Sequence, residues 1–384
     1  MRNPATAFVG AEIFDGNSLR TGCALLLDGA EVAAILPQGE VPADAMRREV
    51  SGTLAPGFVD LQVNGGGGVM FNDTQTVAAL ATIAGAHASL GSTAILPTLI
   101  TDTPEHTRAA IAATREAIAQ GVPGIAGLHL EGPHLSIARK GAHDPSLIRP
   151  MAPSDLDMLI GAAADLPALM LTVAPESVTP AQIQALADAG AVVSLGHTDS
   201  DFATCIAAAD AGARCVTHLF NAMSQLGHRA PGLVGAALDD GRLSAGLIAD
   251  LLHVHPAAIR IALAAKTGPG RIFLVTDAMA PAGTDAGHFV LNGRRIERGD
   301  GRLTLADGTL AGADLDMATA IRNLTENSGL PHAGALAMAT SIPADLMGLG
   351  DIHGRLSPGR RADFVHLDPQ GELRGVWCAG QPVA

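Results

Sequence analysis

Residues 93–133 read TAILPTLITDTPEHTRAAIAATREAIAQGVPGIAGLHLEGP. The runs TAILPTLI (93–100) and IAGLHLEGP (125–133) are almost continuously apolar, and 104–120 between them has an Ala-rich helical period. Apolar runs without polar alternation fit strands buried on both faces, as in a parallel sheet. The helical stretch opens on Pro104 and is followed by Gly121, the usual punctuation of a helix. Strand, helix and strand in this order predict a βαβ unit with parallel strands.

The same alternation continues in both directions. Strand-like runs stand at GFVDLQVNG (57–65), LMLTVAPE (169–176), AVVSLGHT (191–198), CVTHLFN (215–221), LSAGLIAD (243–250) and IFLVTDAM (272–279). Amphipathic stretches at 74–90, 153–165, 180–190, 200–212 and 256–266 separate them. Eight strands alternating with helices predict an α/β fold, a (β/α)8 TIM-type barrel. An open doubly wound sheet is the alternative, but no GxGxxG opens a helix at the first turn. The ends differ from the middle. Residues 1–54 (AFVGAEIF, CALLLDG, EVAAILP) and 351–384 (ADFVHLD, GVWCAG) read as short strands without a helical pattern. They predict a small β-sandwich domain formed from both chain termini, flanking a catalytic barrel over 55–350. A Gly-rich β-like insertion at 285–312 is expected to form a lid or substrate wall.

Composition bounds the function. The chain has 384 residues, 48% hydrophobic and 16% charged, which excludes disordered and fibrous classes. No apolar run approaches the ~18–20 residues of a membrane helix, and the opening MRNPATAFVG has no signal-peptide pattern. Four cysteines without a CxxC argue against a disulfide framework and point to a reducing cytoplasm. A net charge of −14 disfavours nucleic acid as a partner. A small anion held by local cations remains compatible with it.

In such a barrel the chemistry sits at the C-terminal ends of the strands. Glu131 closes run three, His197 run five and Asp277 run eight, and His218 lies in run six. Two imidazoles and a carboxylate form a catalytic zinc set with one position left for water. Such an ion acidifies the water and polarises a carbonyl. Asp277 is then placed as general base and, afterwards, general acid. Zinc is the first choice, with iron, manganese or cobalt accepting the same ligands. The two lysines, Lys140 and Lys266, fall outside the strand runs, so no bridging modified lysine is available. Run one carries Gln62-Val63-Asn64 where many metal-dependent barrels place His-x-His. One metal per chain follows.

On PGFVDLQVNGGGG (56–68), HLEGPHLS (129–136), KGAHD (140–144), SLGHT (194–198), THLFNAM (217–223), LVTDAM (274–279) and GTLAGADLDM (308–317), the chain resembles the N-acetylglucosamine-6-phosphate deacetylases of the amidohydrolase superfamily. The closing GRLSPGRRADFVHLD fits as well, and the likeness runs from about residue 10 onward in the expected order. The resemblance implies hydrolysis of the acetamide of N-acetyl-D-glucosamine 6-phosphate by a cytoplasmic homodimer. It carries the metal ligands to Glu131, His197 and His218, and the catalytic aspartate to Asp277. His143 takes the role of hydrogen-bonding the acetyl carbonyl, with Ala142 beside it. Asn221 and Ala222 match sugar-phosphate positions, and Leu310, Ala311 and Gly312 the loop over the acetyl group. Arg229 and His253 match phosphate contacts expected from a neighbouring subunit. The rival substrates are the 4-epimer, N-acetylgalactosamine 6-phosphate, and the amide of another amidohydrolase. A scaffold without activity would be expected to have lost at least one of the four polar strand-end residues, and all are present.

Overall fold

The computed structural model describes residues 5–383. Eight parallel strands follow one another in a single sheet: Phe58–Val63, Ser92–Ile100, Leu128–Glu131, Leu169–Val173, Val192–Leu195, Cys215–Val216, Ser244–Leu247 and Ile272–Leu274. Every residue of the first two is buried, which is why the run TAILPTLI of the second carries no regular alternation. The sheet closes on itself just past its eighth strand. There the Asp277 N–H donates to the Gln62 carbonyl at 3.0 Å and the Asn64 N–H to the Ala278 carbonyl at 2.9 Å. The result is the expected (β/α)8 barrel.

Helices Val77–Ser89, Pro104–Ala119, Pro153–Asp165, Pro180–Asp188, Phe202–Asp210 and Pro256–Ala265 occupy the stretches read as helical. Thr103 caps the second of them by accepting the His106 N–H at 3.2 Å, and Pro104 follows in the first turn. One helix was not legible: Gly232–Asp239, between strands six and seven, is buried from Gly232 to Leu238 and so shows no polar stripe. Met317–Ser328, His332–Ala339 and Ser341–Leu346 complete the outer layer. Among the described residues no helix is long and apolar enough to cross a membrane.

The termini build two further sheets. One has four strands, all from residues before 50. The other has six and mixes both ends of the chain, because Thr53–Pro56 pairs with Glu12–Phe14 on one side and Phe364–Leu367 on the other. The two sheets face each other across Phe8, Ile13, Leu25, Leu54 and Phe364, a β-sandwich core. Phe8 meets Phe364 edge-on at 5.1 Å and Trp377 at 5.2 Å.

The insertion is a four-stranded antiparallel sheet: His288–Leu291, Arg294–Gly299, Arg302–Thr304 and Leu310–Ala313. Phe289, Leu291, Ile296, Leu303 and Ala311 seat it on Met70, Ile100, Met279 and Ala280. Its last strand is tied to the barrel rim by the Ala313 N–H, which donates to the Asp277 carbonyl at 3.0 Å. The insertion therefore stands directly over the strand-eight end.

Candidate active site

Glu131 is the last residue of strand three, while His197 and His218 stand two residues beyond strands five and six and Asp277 three beyond strand eight. The backbone of these last three is left-handed, with φ of 47°, 29° and 51°. Such a conformation costs a residue other than glycine about 1–3 kcal/mol and persists only where the surroundings enforce it. Here they do. The His197 carbonyl accepts the Ser136 N–H at 2.9 Å, and the Asp277 N–H and carbonyl are both held by neighbouring strands. Strain at three strand ends turns the side chains inward to one point.

At that point the His197 and His218 Nε2 atoms are 3.0 Å apart, and each lies 3.1 Å from Glu131 Oε1. His197 Nδ1 is 2.9 Å from the Arg139 carbonyl, which only accepts, so Nδ1 carries the proton and Nε2 presents a lone pair. A lone pair and a carboxylate oxygen aimed at one another, both buried, call for a cation between them. The donor set fits a divalent ion of the zinc type, and the carbonyl behind His197 is the outer partner that a ligating histidine uses.

His143 is also close: Glu131, His143 and His197 offer nitrogen or oxygen atoms within 4.8 Å of one another. The tighter triangle is the one with His218, and the hydrogen bonds of His143 give it a different role. Its Nδ1 accepts the Thr101 backbone N–H at 3.3 Å and lies 2.7 Å from Thr101 Oγ1. A backbone N–H can only donate, so the network assigns the ring proton to Nε2. Burial, with smaller contributions from the neighbouring histidines, pushes His143 down to about 3, so the ring is neutral at working pH. It presents a fixed N–H, suited to a developing oxyanion.

Asp277 Oδ1 accepts the Asn64 amide at 2.7 Å and the Gln62 amide at 3.1 Å. The Gln62 amide also lies 3.4 Å from both Glu131 oxygens. The end of strand one thus contributes two orienting amides that meet at one oxygen of the aspartate. Oδ2 is left for proton transfer. Burial, and then the charge of Glu131, raises Asp277 to about 6, the range of a working general base.

These groups share one cavity of about 260 Å³ with Ala142, Asn221, Ala222, His253, Leu310 and Gly312 among its walls. Ala311 points away into the insertion's apolar core. His253 differs from the expectation of a neighbour's contact, since it lines the cavity of its own chain. Its Nδ1 is held at 2.5 Å by Asp250, whose other oxygen accepts the Leu252 and His253 backbone N–H groups. Arg229 is exposed and outside the cavity. Sequence reasoning did not single out Thr101, Asp250 or Thr309, which also lines the cavity. Arg294 of the insertion was likewise missed; its guanidinium donates to the Ala142 carbonyl and clips the insertion to the loop carrying His143.

The chain is 42% identical over 378 residues to N-acetylgalactosamine-6-phosphate deacetylase of Shewanella sp. (strain ANA-3), covering 97% of this chain and 94% of the relative. It is 33% identical to N-acetylglucosamine-6-phosphate deacetylase of Haemophilus influenzae, with 98% of both chains covered. The fold superposes with a TM-score of 0.91 and 34% identity on an aspartate-to-alanine variant of N-acetyl-D-glucosamine-6-phosphate deacetylase from Mycobacterium smegmatis in complex with N-acetyl-D-glucosamine 6-phosphate, covering 99% of this chain and 100% of that one. Residues 53–383, which hold every strand of the barrel and every residue of the site, match the amidohydrolase family model, and the chain belongs to that family.

Proposed function

We propose that the protein hydrolyses the acetamide of N-acetyl-D-glucosamine 6-phosphate to D-glucosamine 6-phosphate and acetate. The observation that carries this reading is the opposition, in one cavity, of a proton acceptor with one free oxygen, Asp277, and a neutral donor, His143. A divalent ion held by Glu131, His197 and His218 supplies Lewis acidity when bound. Asp277 Oδ2 takes a proton from the attacking water as the new C–O bond forms. His143 Nε2–H stabilises the oxyanion. As the C–N bond breaks, Asp277 returns the proton to the departing amine. Zinc suits the ligands best, and iron, manganese or cobalt would be held by the same set. The free cysteines and the phosphorylated substrate support a cytoplasmic location.

A second reading, the 4-epimer N-acetylgalactosamine 6-phosphate, is favoured by the name of the 42% identical relative. Acetate release from N-acetyl hexosamines of both configurations, with and without 6-phosphate, tests both. The gluco 6-phosphate is expected to give the highest kcat/KM. A galacto preference would replace the first reading, and turnover without regard to phosphate would overturn both. Because Asp277 must be ionised to act, kcat/KM is expected to fall as pH drops, with the acid limb at or below about 6. An acid limb above pH 7 would assign it to another group.

The exposed Arg229 supports a homodimer in which it reaches the phosphate of the other copy. Arg229→Ala and His253→Ala are expected to raise KM for the phosphorylated sugar about ten- to a hundredfold, as for a charge-assisted contact of roughly 1.5–3 kcal/mol. The unphosphorylated sugar should be nearly unaffected. Mixing Arg229→Ala with Asp277→Asn should restore part of the activity, since one site of the mixed dimer has both residues. Equal KM effects on both sugars would remove the phosphate role, and mixed dimers without activity would remove the shared site.

A further inference from the structure

Beneath the active site, strand one and strand eight are joined by a second buried carboxylate that no step above uses. Asp60 is inaccessible to solvent, as is nearly all of Thr276. Asp60 Oδ2 accepts the Thr276 hydroxyl at 2.5 Å, and Oδ1 accepts the Thr276 and Gln62 backbone N–H groups, each at 3.2 Å. The Thr276 hydroxyl oxygen in turn accepts the Ala278 N–H at 3.3 Å. These bonds bracket Asp277 from both sides along the chain. They also fix the backbone of Gln62, whose carbonyl accepts the Asp277 N–H and whose amide meets Asp277 Oδ1.

We infer that Asp60 and Thr276 form a clasp that positions the general base: it holds Asp277 in its left-handed conformation and registers it against the Gln62 amide. The inference rests on the hydrolytic reading of the site. Physically, Asp277 has a backbone conformation that a free chain avoids, and the barrel seam is where it is imposed. A donor or acceptor displaced by about 1 Å costs on the order of a hundredfold in rate. Neither Asp60 nor Thr276 hydrogen-bonds Glu131, His197 or His218, so loss of the clasp should spare the metal site.

The test is steady-state kinetics with metal analysis on Thr276→Val, Thr276→Ser and Asp60→Asn. Thr276→Val removes the hydroxyl at constant shape, and kcat is expected to fall about 10- to 100-fold. KM should stay within about twofold and metal content near that of wild type. Thr276→Ser, which keeps the hydroxyl, should recover most of the rate. Asp60→Asn keeps an acceptor for both backbone N–H groups but meets the hydroxyl with an amide donor. It should lower kcat less, and combining it with Thr276→Val should cost no more than Thr276→Val alone. This arm decides the matter where valine disturbs folding, since a wild-type kcat in Asp60→Asn would count against the clasp. So would an unchanged Thr276→Val, additive losses in the double variant, or metal and kcat falling in parallel. Failure of wild-type protein to release acetate would instead sink the hydrolytic reading.

Discussion

Asp277→Asn is expected to keep metal and substrate binding and to lose turnover by about 10³- to 10⁴-fold, the upper end for a general acid–base group. The hydrogen bonds around it explain why binding should survive. Gln62 and Asn64 both present amide N–H groups to Oδ1, so the substituted side chain is held with its own oxygen in that place. Its NH₂ then occupies the position of Oδ2, where the proton has to land. An amide nitrogen there is a donor and accepts no proton from water. Both halves of the reaction fail together, since the same oxygen serves as base in the attack and as acid toward the amine. Substrate affinity, read by calorimetry on the inactive protein, should remain within about threefold. A variant retaining more than about a tenth of wild-type kcat would remove Asp277 from the proton path.

The barrel was legible in the sequence because its strands are buried on both faces, which leaves runs such as TAILPTLI with little polar punctuation. The same physics hid the helix Gly232–Asp239: buried almost throughout, it lacks the polar stripe by which a surface helix is read. Glu131, His197, His218 and Asp277 were legible because strand ends of a barrel converge and polar residues there are otherwise costly. Their partners were not. Asp60 and Thr276 are 216 positions apart, and no local pattern says which strand closes on which. One signal was present nonetheless. Asp60, Gln62 and Asn64 alternate with Leu61 and Val63 along strand one and the residue after it, and all three meet groups at the strand-eight seam. Period-two polar residues within a fully buried strand mark its inner face. Arg294 lies in an exposed hairpin whose composition gave no sign of its reach to Ala142. The side chain of His253 is set by Asp250 within its own loop, a contact of short range that the DLLH spacing carries.

His197→Ala or His218→Ala is expected to abolish tightly held metal and activity together, whereas Gln62→Ala and Asn64→Ala should leave about one ion per chain. The asymmetry follows from what each residue offers. The two histidines bring ring nitrogens to within 3.1 Å of the Glu131 carboxylate, and no other pair of imidazoles completes that triangle as closely among the described residues. Removing either leaves two ligands, too few for a tightly held ion of the zinc type, which takes three or four protein ligands. Gln62 and Asn64 stand where a second ion would require nitrogen or carboxylate ligands. Their amide N–H groups point at Asp277 and Glu131, so they meet these carboxylates as donors. Their loss should lower kcat by loosening Asp277 without emptying the triad. Elemental analysis after loading with excess zinc and desalting reads the stoichiometry independently of activity. Two ions per chain in the wild type, falling to one on changing Gln62 or Asn64, would overturn the single-metal site.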